Sequence, residues 1–210
     1  MSHVSVFAPA SVANISCGFD VLGVCLDNVG DTLHIEEVSK PGIEITKIIG
    51  QDLPLEAEKN VAGVAGLALL ADYGRDKGFQ IQIEKGIKPG SGIGSSSASA
   101  AGAVVGINHL LGNPYTREQL ISFAMEGERV ACGTAHADNV SPVLLGGFTL
   151  VRSANPLDVV TLNSPLELFV TIIHPEIEVK TADARAVLLD KLHLKQAVAQ
   201  TANLGALVTG

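Results

Sequence analysis

Between residues 89 and 99 the chain reads Pro-Gly-Ser-Gly-Ile-Gly-Ser-Ser-Ser-Ala-Ser, a glycine-rich turn that runs into small residues. Immediately before it, Phe79, Ile81 and Ile83 alternate with Gln80, Gln82 and Glu84. That alternation predicts a strand over residues 78–86 with one buried and one wet face. Immediately after it, an Ala-rich stretch predicts a helix from residue 95 to about 111, closed by Gly112, Asn113 and Pro114. Glycines let the backbone turn with positive φ and bring N–H groups close to an anion. A helix start adds unpaired donors and a positive dipole end. Pro89, Gly90, Ser91, Gly92, Ile93, Gly94, Ser95, Ser96 and Ser97 can therefore cradle a phosphate, with serine hydroxyls free to donate to it or to ligate Mg²⁺. On the loop alone, an ordinary turn capped by serine fits equally well.

Of two well-known phosphate loops, one is excluded and the other fits poorly. A Walker A loop requires Lys after its last glycine, and that position is Ser95. The dinucleotide fingerprint needs a glycine three places after Gly92 and an early βαβ unit, and neither is present.

The remaining chain reads as a mixture of strands and helices. Residues 3–7 predict a strand leading into a loop over 8–19, and residues 31–38 and 43–49 predict strands split by Lys40, Pro41 and Gly42. Residues 60–73 predict a helix that stops at Gly74. Thr116 with Gln119 forms a capping box for a helix reaching about residue 130. A short polar helix over 136–145 and a strand over 147–152 follow. Residues 153–156 read as a boundary, giving an N-terminal domain over 1–155 and the first part of a second domain over 156–210. In that second part a strand is expected over 166–173, with helices over 181–189 and 194–208. Two helices and a strand do not close a layer, so the second domain is expected to be incomplete. There is no internal repeat.

Composition narrows the function. With 47% hydrophobic and 17% charged residues the chain can bury a core, and without Trp it offers few rings on which bases could stack. The formal net charge of −8 is spread along the chain with no Lys/Arg cluster, so no nucleic-acid or membrane partner is expected. An acidic chain that binds a nucleotide must gather positive groups locally, and a metal ion is the expected helper. The 3 cysteines lack C-x-x-C spacing, and no apolar run reaches the roughly 20 residues of a membrane span. A reduced, cytoplasmic protein is the expectation.

Two polar sets stand apart from the loop. In EGERVACGTAHADN, Glu128 falls late in its helix, where a carboxylate gains nothing from the helix dipole and a hard cation would compensate it. His136 and Asn139, three apart on a helical turn, share a face, and can hold a small polar substrate or simply cap the turn. Asn14 and Asp20 lie in a third set that fits an ordinary Asn/Asp turn.

Taken in order, the three sets resemble the homoserine kinases of the galactokinase–homoserine kinase–mevalonate kinase–phosphomevalonate kinase (GHMP) superfamily. PASVANISCGFDVLG is similar to the family's opening motif, GSGIGSSSASA to the superfamily's second motif, and EGERVACGTAHADNVSPVLLGGF to a stretch specific to homoserine kinases. The resemblance implies an α+β, two-layer fold: a ribosomal protein S5 domain 2-like N-terminal domain with a left-handed βαβ crossover, then a ferredoxin-like domain. It implies ATP and Mg²⁺ as cofactors and L-homoserine as substrate, and leaves a homodimer open. Asn14, Asp20, His136, Asn139, Thr181 and Arg185 would bind homoserine, with Asp20 on its ammonium and Arg185 clamping its carboxylate. Asn139 would stand beside the attacking hydroxyl, the phosphates would lie on Gly92 to Ser97, and Asn60 would line the adenine side. Mg²⁺ would sit between Glu128 and Ser95 or Ser96. The resemblance also implies transfer without a general base, Asp138 being the rival. One departure is Lys88, which stands where the family's motif usually has Pro.

Overall fold

The computed structural model describes residues 2–133, 135–164, 167–173, 186–188 and 191–209. Its strands are β1 (His3–Ala13), β2 (Leu22–Val38), β3 (Gly42–Ile49), β4 (Gly78–Glu84), β5 (Phe148–Ala154) and β6 (Leu157–Leu162). The helices are α1 (Val61–Tyr73), α2 (Ser95–Leu110), α3 (Arg117–Cys132), α4 (Ala137–Leu145) and α5 (Leu194–Thr209). This is the mixed α+β arrangement expected, with one sheet among the described residues and α1, α2 and α4 packed against it.

The sheet is built around β2. One edge of β2 pairs with β1 along nearly its whole length, from His3↔Glu36 to Ala13↔Gly23. Its other edge pairs with β5 at Leu22–Val24 and with β4 from Thr32 to Val38. β3 runs parallel to β4 with α1 between them in sequence, and β6 closes the far side as a hairpin with β5. The loop expected over residues 8–19 is shorter than its reading: residues 8–13 continue β1, and β2 begins at Leu22. Ala8, Ala10 and Ser11 are buried there, so small residues extend the strand beneath a helix where a bulky β-branched pattern was absent. A bulge between Pro9 and Ser11 absorbs the proline.

Of residues 153–156, read as a boundary, Ser153 and Ala154 end β5, Asn155 and Pro156 form the turn, and β6 belongs to the same sheet. In the stretch expected as a strand over 166–173, residues 167–173 have no regular structure and Leu166 lies outside the described residues. Of the expected helix over 181–189, residues 181–185 and 189 lie outside them too. The last expected helix is present as α5.

The core lies between the sheet and helices α1 to α4. Leu33 and Ile35 of β2 and Phe79, Ile81 and Ile83 of β4 present their buried face to Val104 and Ile107 of α2. Burying side chains of this size contributes about 1.5–3 kcal/mol each. Two glycines set the spacing. A Cβ on Gly102 would lie 2.5 Å from Leu33 Cδ1, and one on Gly106 would lie 2.4 Å from Ile35 Cδ1. α2 can therefore lie directly on the strands, which fixes where its N-terminus opens.

Candidate active site

The N-terminus of α2 opens into a cleft of about 740 Å³. One wall is the loop from Pro89 to Gly94 with Ser95, Ser96 and Ser97. The facing wall carries Asn14 and Asp20 from the β1–β2 turn, and His136, Asp138 and Asn139 from the start of α4. Glu128 of α3, Asn60, Lys59 and Leu53 line the same cleft. Three sequence motifs far apart along the chain thus meet in one place.

The loop has the geometry an anion needs. Gly90, Gly92 and Gly94 adopt φ of +75°, +78° and +69°. A Cβ on Gly90 or Gly92 would meet nothing within 4 Å, whereas one on Gly94 would meet Ser11 Oγ at 2.2 Å. Backbone N–H groups of the first turn of α2 point out of the helix end without intrahelical partners. Ser95 Oγ donates to Ile87 O at 3.0 Å and is thereby committed to the loop's own shape. The Ser96 hydroxyl acts on Glu128 from the same turn, and the buried Oγ of Ser97 has no hydrogen-bond partner.

Glu128 is the most unusual group in the cleft. It is 3% exposed, and its Oε1 lacks a partner. Burial pushes its pKa up; the Ser96 and Ser97 hydroxyls and His136 pull the other way, and Asp138 adds to the rise. The Ser97 hydroxyl influences the carboxyl at a geometry looser than a hydrogen bond. Gly127 allows this approach, since a Cβ there would lie 2.5 Å from Val61 O of α1. By contrast Glu126 pairs with Arg129 in solvent. An orphaned carboxylate oxygen beside an orphaned hydroxyl oxygen fits Mg²⁺, a hard cation that is commonly held by one or two protein oxygens plus substrate phosphates. Among the described residues no cluster of three His, Cys, Asp or Glu forms a metal cage.

The wall that carries Asn14 and Asp20 is strained. Asn14, Ile15, Ser16 and Asp20 all have positive φ, including a β-branched residue that pays steric strain there. Asn14 Oδ1 accepts the Asp20 backbone N–H at 2.9 Å, which holds the turn and sets Asp20 at the cleft. On α4, Ser11 Oγ donates to Asn139 Oδ1 at 3.2 Å, and Asp138 Oδ1 accepts the Asn139 N–H at 3.1 Å. Burial raises the Asp138 pKa, with His136 opposing and Asp20 reinforcing the shift. Asn60 caps α1, accepting from Ala62 N at 3.0 Å and donating to Pro54 O at 2.8 Å. Thr181 and Arg185 lie outside the described residues.

The sequence reading missed Lys85 and Asp31. Lys85 lines the cleft and forms an ion pair with Asp31, the two side chains being 2% and 0% exposed. The signal was present. Lys85 continues the inward positions Phe79, Ile81 and Ile83, and Asp31 begins the inward series Leu33 and Ile35. Charged residues at inward positions of two strands imply a buried pair.

The profile of the GHMP kinases N terminal domain family matches residues 59–147, the span that carries the loop, Glu128 and Asn139. A homoserine kinase of Chloroherpeton thalassium is 44% identical over 222 aligned positions, covering 100% of this chain and 70% of that protein. The chain belongs to the homoserine kinase family. A homoserine kinase of Chlorobaculum tepidum is likewise 44% identical, with 100% and 68% covered. The crystal structure of homoserine kinase from Cytophaga hutchinsonii superimposes with a TM-score of 0.93 at 51% identity, over 100% of this chain and 67% of that one. The Methanococcus jannaschii mevalonate kinase, at 16% identity and a TM-score of 0.61, shares the fold. Family membership and the geometry of the cleft thus agree on the GHMP kinase fold.

Proposed function

We propose that this chain transfers the γ-phosphoryl group of ATP to the side-chain hydroxyl of L-homoserine, giving O-phospho-L-homoserine. The observation that carries this reading is the meeting, in one cleft, of the glycine-serine loop with Asp20, Glu128, His136 and Asn139. A phosphate cradle facing an acid and an amide suits an acceptor that bears both an ammonium and a hydroxyl.

Phosphoryl transfer asks for in-line positioning and for neutralisation of charge spreading over the phosphoryl oxygens. The loop amides and the dipole of α2 supply part of the neutralisation. Mg²⁺, held by Glu128 with Ser96 or Ser97, would neutralise the phosphate oxygens further. Asp20 holds the acceptor's ammonium, and Asn14 holds Asp20. Asn139, fixed by Ser11, stands beside the acceptor hydroxyl. Arg185 is the proposed clamp on the acceptor's carboxylate, as a two-pronged donor, and Thr181 a further contact. An amide takes no proton at neutral pH, so Asn139 is no general base, and the hydroxyl's proton passes to an oxygen of the transferred phosphoryl group or to solvent. Asp138 holds the backbone of Asn139 in this reading. The N-terminal domain includes β6, and a reducing, cytoplasmic setting accords with Cys17 and Cys25 as free thiols.

The test is ADP release from MgATP with L-homoserine, mevalonate and shikimate supplied separately. Homoserine-dependent release supports the reading. Release with another alcohol would keep a kinase and remove the roles given to Asp20 and Arg185, and ADP binding without release would point to a non-catalytic nucleotide-binding protein.

A further inference from the structure

The loop that faces the cleft is tied at both ends to one side chain, besides the bonds from Ser11 N–H to Ile93 O at 3.2 Å and from Ser95 Oγ to Ile87 O at 3.0 Å. Asp31 Oδ1 accepts the N–H groups of Gly86 and Ile87, each at 3.1 Å, where the chain leaves β4. Its other oxygen, Oδ2, accepts from Ser99 Oγ at 2.8 Å, one turn into α2, and from Lys85. Lys85 Nζ also donates to Ser95 O at 2.9 Å and to Ser99 Oγ at 3.0 Å. An ammonium has three donors, and all of those on Lys85 have partners here. Its charge therefore acts through the loop and not as a point contact on a phosphate.

The strand register explains why the pair exists. Thr32 lies opposite Glu84, so the next position places Asp31 beside Lys85 just where β4 ends. The entry is tight as well: a Cβ on Gly86 would lie 2.1 Å from Gly30 O. Residue 86 at one end and residues 95 and 99 at the other are thus referred to one buried carboxylate. A Cβ on Gly90 or Gly92, between those ends, would meet nothing within 4 Å.

We propose that Asp31, acting through Lys85 and Ser99, is the positioning residue for the nucleotide's phosphates. The inference rests on reading the loop as a phosphate cradle, and adds that the cradle's span is set from outside it. A buried ion pair that served folding alone would affect every ligand equally or none. A clamp on the loop affects the phosphates and spares the nucleoside.

The experiment measures ADP and adenosine affinity by calorimetry in the wild-type protein and in Ser99→Ala, Ser99→Thr and Asp31→Asn. Ser99→Ala removes a single hydroxyl and keeps the ion pair, so it remains informative if Asp31→Asn folds poorly. The expected result is an ADP affinity about tenfold weaker in Ser99→Ala, with adenosine unchanged within about twofold and Ser99→Thr restored towards wild type. Asp31→Asn should show a larger loss of the same kind. Equal losses for ADP and adenosine, or no loss for either, would overturn the proposal. A wild-type protein that binds ADP but phosphorylates no homoserine removes the substrate reading, and a selective loss in Ser99→Ala would then still support the clamp. Failure of the wild type to bind ADP would sink both.

Discussion

Asp31 and Glu128 are both carboxylates with almost no solvent access, 0% and 3% exposed, and both stand within reach of the same helix N-terminus. Asp31 accepts from two backbone N–H groups, a hydroxyl and an ammonium. Glu128 has an oxygen with no partner, beside a serine hydroxyl with none. A buried polar atom costs about 1–3 kcal/mol unless a protein group, water or ligand satisfies it, and in a cleft that binds phosphates a cation can do so. The difference teaches how to separate scaffold from chemistry in this cleft. A satisfied buried charge builds the site, and an unsatisfied one waits for what the site binds.

The comparison breaks most easily at Glu128. Glu128→Gln should lower turnover by about 10³-fold, because charge stabilisation at the transferring phosphoryl is lost, while the thermal midpoint stays level or rises. A variant that keeps most of its turnover would return Glu128 to an ordinary buried acid. Asp31→Ala should behave in the opposite way. It leaves Lys85 buried and unpaired and should cost about 3–5 kcal/mol of stability, measured by denaturant unfolding. Replacing both partners, as Asp31→Leu with Lys85→Met, should recover much of that loss.

Titration sharpens the contrast. Burial raises the pKa values of Glu128 and Asp138. The folded state therefore holds these protons to higher pH than the unfolded chain, and stability falls as pH rises from the ordinary carboxylate range through the raised values. In Mg²⁺-free buffer, Glu128→Gln should flatten that decline, and unfolding midpoints across a pH series would show it. An unchanged slope would mean that Glu128 is ionised at no cost. Asp138→Asn tests the neighbouring acid: a severalfold change in turnover fits its hold on Asn139, whereas abolition of turnover with an unchanged KM would make it the general base. The smallest effect is expected at Glu126, whose exposed pair with Arg129 is screened by solvent. Glu126→Gln should leave both turnover and stability nearly intact.

Much of this was legible in the sequence, and the misses have physical causes. The strand over 78–84 and the helix beginning at Ser95 follow from alternation and from a glycine-to-alanine change in composition. The capping box at Thr116 and Gln119 is present as read. β1 was read as too short because Ala8, Ala10 and Ser11 carry no β-branched signal, their place under α2 being set by tertiary packing. β6 was missed because Asn155 and Pro156 look like a break, and a break and a hairpin turn share the same residues. In the site, Glu128 was singled out by its position late in a helix. That it keeps an orphaned oxygen depends on α3 packing against α1 at Gly127, which no local pattern encodes. Ser97 was taken with the phosphates, and its place beside Glu128 needed the fold.

The central claim is that the orphaned oxygens of Glu128 and Ser97 mark a cation site serving phosphoryl transfer to an amino-acid alcohol. Its most direct test is ADP release from ATP with L-homoserine, measured while Mg²⁺ is titrated into wild type and Glu128→Gln. The account predicts homoserine-dependent release that saturates with Mg²⁺ in the wild type and is lost in the variant. Release that ignores Mg²⁺, or that survives in Glu128→Gln with the same Mg²⁺ dependence, would contradict it.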